Sequence, residues 1–226
     1  MISMINVTRF HGPPKTPRFV LHDVSVRFET RERIGILAPS GAGKSTLARI
    51  LAGSERPDIG KVTSTDQMSW PMGFASALHP ALSSAQNTAM VAKLWNLDPY
   101  DLVARVEDFA DLGGAFFKPI SELAPGKRVQ TALALSLNTD FDAYLADDMN
   151  VSNTIAFREK CDAALMDRLE GAGLIMLSRH PRMLKQFADR FFVLCDASLI
   201  ECESAEQAQD VLTILTNEDH PTHAIA

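Results

Sequence analysis

The nine residues from Ala38 to Thr46, reading APSGAGKST, limit what this chain can fold into more than any other stretch. A short apolar run, Arg33 to Leu37, leads into them, and Leu47 to Ala52 follows with helical spacing. Strand, glycine loop, helix is the order that a bound phosphate needs. Glycines let backbone N–H groups turn inward, and the helix presents its positive end to the same point. On this reading Ala38, Pro39, Ser40, Gly41, Ala42, Gly43, Lys44, Ser45 and Thr46 form a nucleotide's phosphate cradle. Lys44 reaches the β and γ phosphates of ATP, and the Ser45 hydroxyl holds Mg²⁺. Ala38 stands where the usual pattern opens with Gly, a change that Ala tolerates if its φ is negative. The competing reading, a chance glycine turn between a core strand and helix, leaves GKST and both its flanks unexplained.

With 226 residues, 46% of them apolar and 22% charged, the chain has the make-up of one globular domain with an ample core. A formal net charge of −6 and the lack of a long basic run argue against nucleic acid as a partner. Cys161, Cys195 and Cys202 have no CxxC spacing, so neither a disulfide framework nor a zinc site is suggested, and a reducing cytoplasm fits. The opening MISMINVTRF does not read as a signal peptide, and no segment approaches the length of a membrane span. Work at a membrane would be that of a peripheral subunit.

Ile5 and Val7 alternate with polar neighbours, His11 to Pro17 breaks the pattern, and Val20, Val24, Val26 and Phe28 resume it. This predicts a small antiparallel layer. Phe10 or His11 lies where an aromatic ring can stack on adenine, although simple packing explains either equally well. Gly53 to Lys61 reads as a turn, Val62 to Trp70 as a return to the antiparallel layer, and Met72 to Gln86 as loop. From Ala89 the character is helical, and after the start signal Asp98-Pro99 the residues Leu102, Val106, Phe109 and Leu112 share one face. A helical subdomain over about residues 75–130 therefore separates the glycine loop from the next core strand.

Val129 to Leu137 reads as a helix, and Ala143 to Ala146 as a buried strand that ends in Asp147 and Asp148. Alone, such an acidic pair is more often a solvated turn. After a phosphate loop it becomes the second half of a nucleotide site, with Asp147 on Mg²⁺ through water and Asp148 orienting the attacking water. The α/β rhythm continues with a helix at Phe157 to Leu169, a strand at Leu174 to Leu177 and a helix at Pro181 to Ala188. A hairpin about Asp196 and a last helix from Ala205 to Leu215 complete it. Strands alternating with helices imply a mostly parallel sheet flanked by helices.

The antiparallel layer, glycine loop, helical insert, the turn LAPGKR at Leu123 to Arg128 and the acid-ended strand together resemble an ATP-binding cassette (ABC) domain across residues 1–226. More narrowly, SWPMG at Ser69 to Gly73, GSERPDIGKV at Gly53 to Val62 and AFREKC at Ala156 to Cys161 resemble the ATP-binding subunits of bacterial capsular polysaccharide exporters. The resemblance implies an α/β fold of the P-loop NTPase class and a head-to-tail dimer, of two identical or two different cassettes, that sandwiches two ATP molecules. It further implies an integral-membrane permease at the cytoplasmic face of the bacterial inner membrane, with polysaccharide cargo met only indirectly. The segment Phe74 to Asn87 would receive the permease's coupling helix, or be a surface loop with no partner.

Several positions depart from the family's pattern. The signature turn, usually Leu-Ser-Gly-Gly-Gln, reads Leu123-Ala124-Pro125-Gly126-Lys127. Ala124 lacks the hydroxyl and Pro125 the N–H that would meet a γ phosphate, whereas Gly126 and a helix start remain. Asp148 replaces the usual Glu and is one methylene shorter, which draws the carboxylate back from its water. His79 aligns with the Gln that touches the metal. Ser152-Asn153-Thr154 replaces a dimer-contact loop ending in Asp. The switch histidine aligns with Arg179, with His180 one place later. Either the loop slips so that His180 serves, or Arg179 meets the phosphate as a fixed cation, or both are solvated strand ends. These residues predict MgATP binding with slow turnover. The functional readings are an energising exporter subunit or a nucleotide-gated regulator of an intact cassette. A P-loop kinase, the third reading, has no use for the LAPGKR turn.

Overall fold

Alternation of apolar and polar residues at the start of the chain yields two long strands, and their pairing begins the first layer. The computed structural model describes residues 1–12, 17–148 and 154–218. Strands β1 (Ile2–His11) and β2 (Arg18–Phe28) pair antiparallel, with Ile2 opposite Phe28 and His11 opposite Arg18. Ile2, Met4, Val7, Leu21 and Phe28 are buried, and full burial of such a side chain is worth about 1.5–3 kcal/mol. The register slips between Met4 and Val7, where Asn6 has φ 49°. That bulge puts Val7 on the buried face, which strict alternation from Met4 would deny it. Asn6 occupies the bulge, its backbone N–H donating to Ser25 Oγ at 2.8 Å and its amide to Asp23 Oδ1 at 2.9 Å.

Next come β3 (Arg33–Leu37), α1 (Lys44–Leu51) and β4 (Ile59–Ser64), and β4 joins β1 to give the layer order β2-β1-β4. The expected return of Val62 to Trp70 to this layer holds only in part. Val62 lies in β4, but Met68–Met72 forms a separate strand, β5, outside the layer. Ser64 closes a turn between them, its hydroxyl donating to the Asp66 carbonyl at 2.8 Å and accepting the Asp66 N–H at 3.1 Å. The chain continues with α2 (Ser84–Leu94), α3 (Pro99–Ala110), α4 (Pro125–Leu137), β6 (Ala143–Asp147) and α5 (Ile155–Arg168). It ends with β7 (Gly173–Ser178), α6 (Pro181–Phe187), β8 (Arg190–Cys195), β9 (Ser198–Cys202) and α7 (Ala205–Glu218).

These elements divide into two compact units. The first comprises Met1–Met68, Asp142–Asp148 and Gly171–Ala226. Its strands run in the order β6-β7-β3-β8-β9, the first four parallel and β9 antiparallel to β8. Ile34, Ile36, Leu145, Ile175 and Leu177 are all buried, which is why β3, β6 and β7 read as continuous apolar runs. The carboxyl ends of these parallel strands are where an open sheet of this kind binds its ligand.

The second unit comprises Ser69–Phe141 and Met149–Glu170. Leu102, Val106, Ala110, Phe116, Leu123 and Leu135 form its core, and Trp70, Trp95 and Phe141 meet edge to face at 5.1–6.2 Å. Helix α3 starts after Asp98 as its capping signal predicts, the carboxylate accepting the N–H groups of Tyr100 and Asp101. Helix α2 begins at Ser84, within the segment expected to be loop and ahead of Ala89, because Ser83 and Gln86 form a capping box. Helix α4 likewise begins earlier than Val129, with Pro125 in its first turn.

Candidate nucleotide site

The loop between β3 and α1 closes on its own lysine. Gly41 and Gly43 take φ values of 82° and 101°, and a Cβ on Gly43 would lie 2.1 Å from Val20 Cγ1. Only glycine fits there. Ala38 is fully buried, is not among the positive-φ residues, and extends the ladder by donating its N–H to the Ser178 carbonyl at 3.0 Å. The alanine therefore meets the negative-φ condition at the loop's first position. The first bond of α1 runs from Leu47 N–H to the Gly43 carbonyl at 2.9 Å. Lys44, Ser45 and Thr46 are thus first-turn residues whose N–H groups have no acceptor within the helix, at its positive end.

Lys44 is 8% exposed. Its Nζ donates to the carbonyls of Ala38 at 3.2 Å and Pro39 at 3.0 Å, and lies 3.6 Å from Asp148 Oδ2. A buried ammonium needs such partners, since losing them costs several kcal/mol. The other oxygen of Asp148, Oδ1, accepts the Ser178 hydroxyl and the Arg179 backbone N–H, each at 3.2 Å. The Asp148 N–H donates to the Leu177 carbonyl at 2.8 Å. Asp148 itself has φ 41°, in the left-handed region that Asp and Asn enter more readily than other side chains.

A cavity of about 430 Å³ opens over the loop, a size within the range of small-ligand sites. Ser40, Gly41, Gly43, Lys44, Ser45 and Thr46 line it on the loop side, Asp148 closes one wall, and His11, Arg18, Phe19 and Val20 form the other. Of the two aromatic candidates on β1, His11 reaches this wall, with Nε2 at 3.4 Å from Thr46 Oγ1. Phe10 packs edge to face on Phe19 at 6.0 Å. Sequence reasoning missed Arg18, which donates to the Gly41 carbonyl at 3.2 Å. Nothing local in the sequence marks that residue, because the contact joins positions 23 apart.

Asp147 ends β6 half-buried, opposite Leu177, one residue before the cavity wall. Arg179 and His180 follow β7 with exposed side chains outside the cavity lining. Both engage through their backbones, Arg179 with Asp148 and His180 with Ser178 Oγ at 3.1 Å. His79 and Gly126 belong to the second unit. Buried Asn87 staples the turn that carries His79. Its Oδ1 accepts the His79 N–H at 2.7 Å, and its amide donates to the carbonyls of His79, Leu82 and Ser83 at 3.2, 3.3 and 2.9 Å. His79 Nδ1 accepts the Ala81 N–H at 3.3 Å, so in the neutral ring Nε2 carries the proton and meets any ligand as a donor. Gly126 sits in the first turn of α4, where Arg128 holds the turn by donating to the carbonyls of Leu123 at 2.7 Å and Ser121 at 2.9 Å. Ser152 and Asn153 lie outside the described residues, and Thr154 caps α5 by accepting the Phe157 N–H at 3.3 Å.

A parallel sheet that delivers a lysine-bearing glycine loop and an acid-ended strand to one edge defines a P-loop NTPase. Residues 21–150 match the model of the family described as ABC transporter, and the chain belongs to that family as an ATP-binding subunit. It is similar to the capsule polysaccharide export ATP-binding protein CtrD of Neisseria meningitidis serogroup B, 32% identical over 210 residues, 93% of this chain and 97% of that protein. The ATP-binding protein BexA of Haemophilus influenzae is 30% identical over 208 residues, with 92% and 96% covered. A solved dimer of the ATP-binding cassette MJ0796 in a post-hydrolysis state, bound to ADP and Pi, matches with TM-score 0.75 at 19% identity. The match covers 88% of this chain and 96% of that one, and it supports the ABC cassette fold. Among the described residues no helix is long and apolar enough to cross a membrane.

Proposed function

We propose that the chain energises export of capsular or other cell-surface polysaccharide. It would work as one half of a nucleotide-closed dimer, with an identical or a different cassette, beneath a membrane permease at the cytoplasmic face of the bacterial inner membrane. The observation that carries this reading is Lys44 buried in a loop of left-handed glycines next to an acid-ended strand. That loop belongs to a chain which matches the capsule polysaccharide export ATP-binding protein CtrD over 93% of its length. The name of that relative favours the energising role over a regulator without turnover.

The residues present fit MgATP. Gly41 and Gly43 hold the loop in its left-handed turn, a Cβ at Gly41 would meet nothing nearer than Arg18 at 3.8 Å, and the first-turn amides of α1 have no helical acceptor. Ser45 and Asp147 are the residues of the first unit that would hold Mg²⁺, which supplies neutralisation of phosphate charge when bound. Lys44 would exchange the carbonyls of Ala38 and Pro39 and the Asp148 carboxylate for phosphate oxygens. Asp148, so released, would orient water, and Arg179 or His180 would face the γ phosphate. Gly126, at the start of α4, would cap the partner protomer's nucleotide. The helical subdomain over about residues 75–130, and the Phe74 to Asn87 segment in particular, is where we place the permease contact.

Hydrolysis is slow on this reading, because Asp148 is short, Ala124 has no hydroxyl and Pro125 has no N–H. The test is nucleotide calorimetry and phosphate release on the chain reconstituted with its permease. MgATP binding that Lys44→Ala abolishes is expected, with turnover below about 1 s⁻¹, the low end of enzyme rates. Folded protein that takes up no nucleotide, with or without permease, ends the reading. Fast turnover that depends on Lys44 ends only its slow-hydrolysis part.

A further inference from the structure

The turn GSERPDIG, Gly53 to Gly60, has no part in the phosphate loop, yet its two acids reach the His11 wall of the cavity through Arg9 and the Phe10 N–H, and its loop side through Arg49. Gly53 ends α1 with φ 70°, and the N–H groups of Ser54 and Glu55 then close on the Arg49 carbonyl at 2.9 and 3.1 Å. That turn sets Glu55 beside the Arg49 guanidinium, whose Nε donates to Glu55 Oε2 at 2.8 Å. The second oxygen of Glu55 accepts Arg9 Nε at 2.7 Å. Arg9 also donates to Asp58 Oδ1 at 2.9 Å, and Asp58 Oδ2 accepts the N–H of Phe10 at 3.0 Å, one residue before His11. On the opposite side, Arg49 donates to Thr46 Oγ1 at 3.3 Å. The same hydroxyl lies 3.4 Å from His11 Nε2 and bonds it as donor or acceptor according to the His11 tautomer.

The brace differs from an ordinary surface ion pair. The side chains of Glu55 and Arg9 are only 16% and 23% exposed, and both oxygens of each acid are engaged by short, charge-assisted or backbone bonds. Burial pushes the Glu55 carboxyl up, but hydrogen bonds and charge from Arg49 and Arg9 outweigh that and hold it below the usual carboxylate range.

We infer that Glu55 is a positioning residue of the nucleotide site: through Arg9 and Asp58 it fixes the end of β1 that bears His11, and through Arg49 it orients the Thr46 hydroxyl. One carboxylate thereby holds the nucleoside wall of the cavity in register with the phosphate loop. The inference rests on the nucleotide reading of that cavity, with His11 facing the nucleoside.

The experiment compares equilibrium binding of ATP and of inorganic tripolyphosphate, which has the phosphate tail without the nucleoside, by the full chain. Glu55→Gln is expected to weaken ATP at least fivefold and tripolyphosphate twofold or less, as is His11→Ala. The double variant should lose no more ATP affinity than His11→Ala alone, because both changes cut one linkage. Equal weakening of the two probes, additive losses, or unchanged ATP affinity overturns the inference. Should Glu55→Gln not fold, Asp58→Asn cuts the same arm at Phe10 and is judged by the same criteria. Wild-type chain that binds neither probe instead removes the nucleotide reading itself.

Discussion

Lys44 is held by a carboxylate with which phosphates must compete. The Lys44 to Asp148 pair at 3.6 Å joins a lysine side chain 9% exposed to an aspartate side chain 23% exposed. Because the ammonium keeps the carbonyls of Ala38 and Pro39, loss of this one charge matters far less than stripping the lysine of all its partners, on the order of 1 kcal/mol. Asp148→Asn removes the competing charge and keeps the shape, so ADP affinity should rise about three- to tenfold, the factor that such an energy sets. Calorimetry with ADP checks this free of hydrolysis, and weaker or unchanged binding would remove Asp148 from the loop's resting state. At this scale the site was legible wherever chemistry follows local order. APSGAGKST could be read directly, because loop and helix start need those residues in sequence. Arg18 and Glu55 could not, since their work depends on partners 23 and 46 positions away.

At the scale of elements, the turn before α2 depends on one buried amide. Asn87 is 1% exposed and serves the backbone of His79, Leu82 and Ser83. Asn87→Ala leaves those groups unpaired and should cost about 2–3 kcal/mol, roughly the desolvation penalty of a buried polar group. Urea unfolding followed by tryptophan fluorescence, with Trp70 and Trp95 in the same unit, would show it. A loss below about 0.5 kcal/mol would mean that the turn is held otherwise. Helix α3 was readable because Asp98, Pro99 and an apolar face at Leu102 and Val106 agree. The start of α2 was not, because its capping box precedes a first turn of Ser84, Ala85 and Gln86 that carries no large apolar residue. The strand boundary at Met68 was hidden for a related reason. Strand residues can be read from composition, whereas the layer a strand joins is decided by pairing with distant segments.

For the molecule as a whole, stability should fall on both sides of neutrality, with different groups responsible. Glu55 and Glu201 are held below their ordinary value of 4.5, Glu201 chiefly by its hydrogen bonds from Arg190. As pH falls through about 4.5 the unfolded carboxyls take up protons first, so the contribution these acids make at neutral pH is progressively lost. Cys161, fully buried on α5, is pushed by burial from 9.0 up to about 12. Its contribution is present below 9.0 and lost as pH rises toward 12, since the unfolded thiol ionises first. Urea midpoints across pH would trace both limbs, and Glu55→Gln should flatten the acid one. An unchanged acid limb in that variant would show that Glu55 carries no linked proton.

The left-handed backbone at Asp148 also bears on any attempt to retrofit faster hydrolysis. A glutamate grafted there, to supply the longer acid usual in the family, inherits a conformation that costs most L side chains about 1–2 kcal/mol. The peptide before it is anchored to Leu177 and cannot simply swing away. Lengthening the side chain is therefore a backbone problem first, and an engineer would have to remodel the exit from β6 before the extra methylene could be put to use.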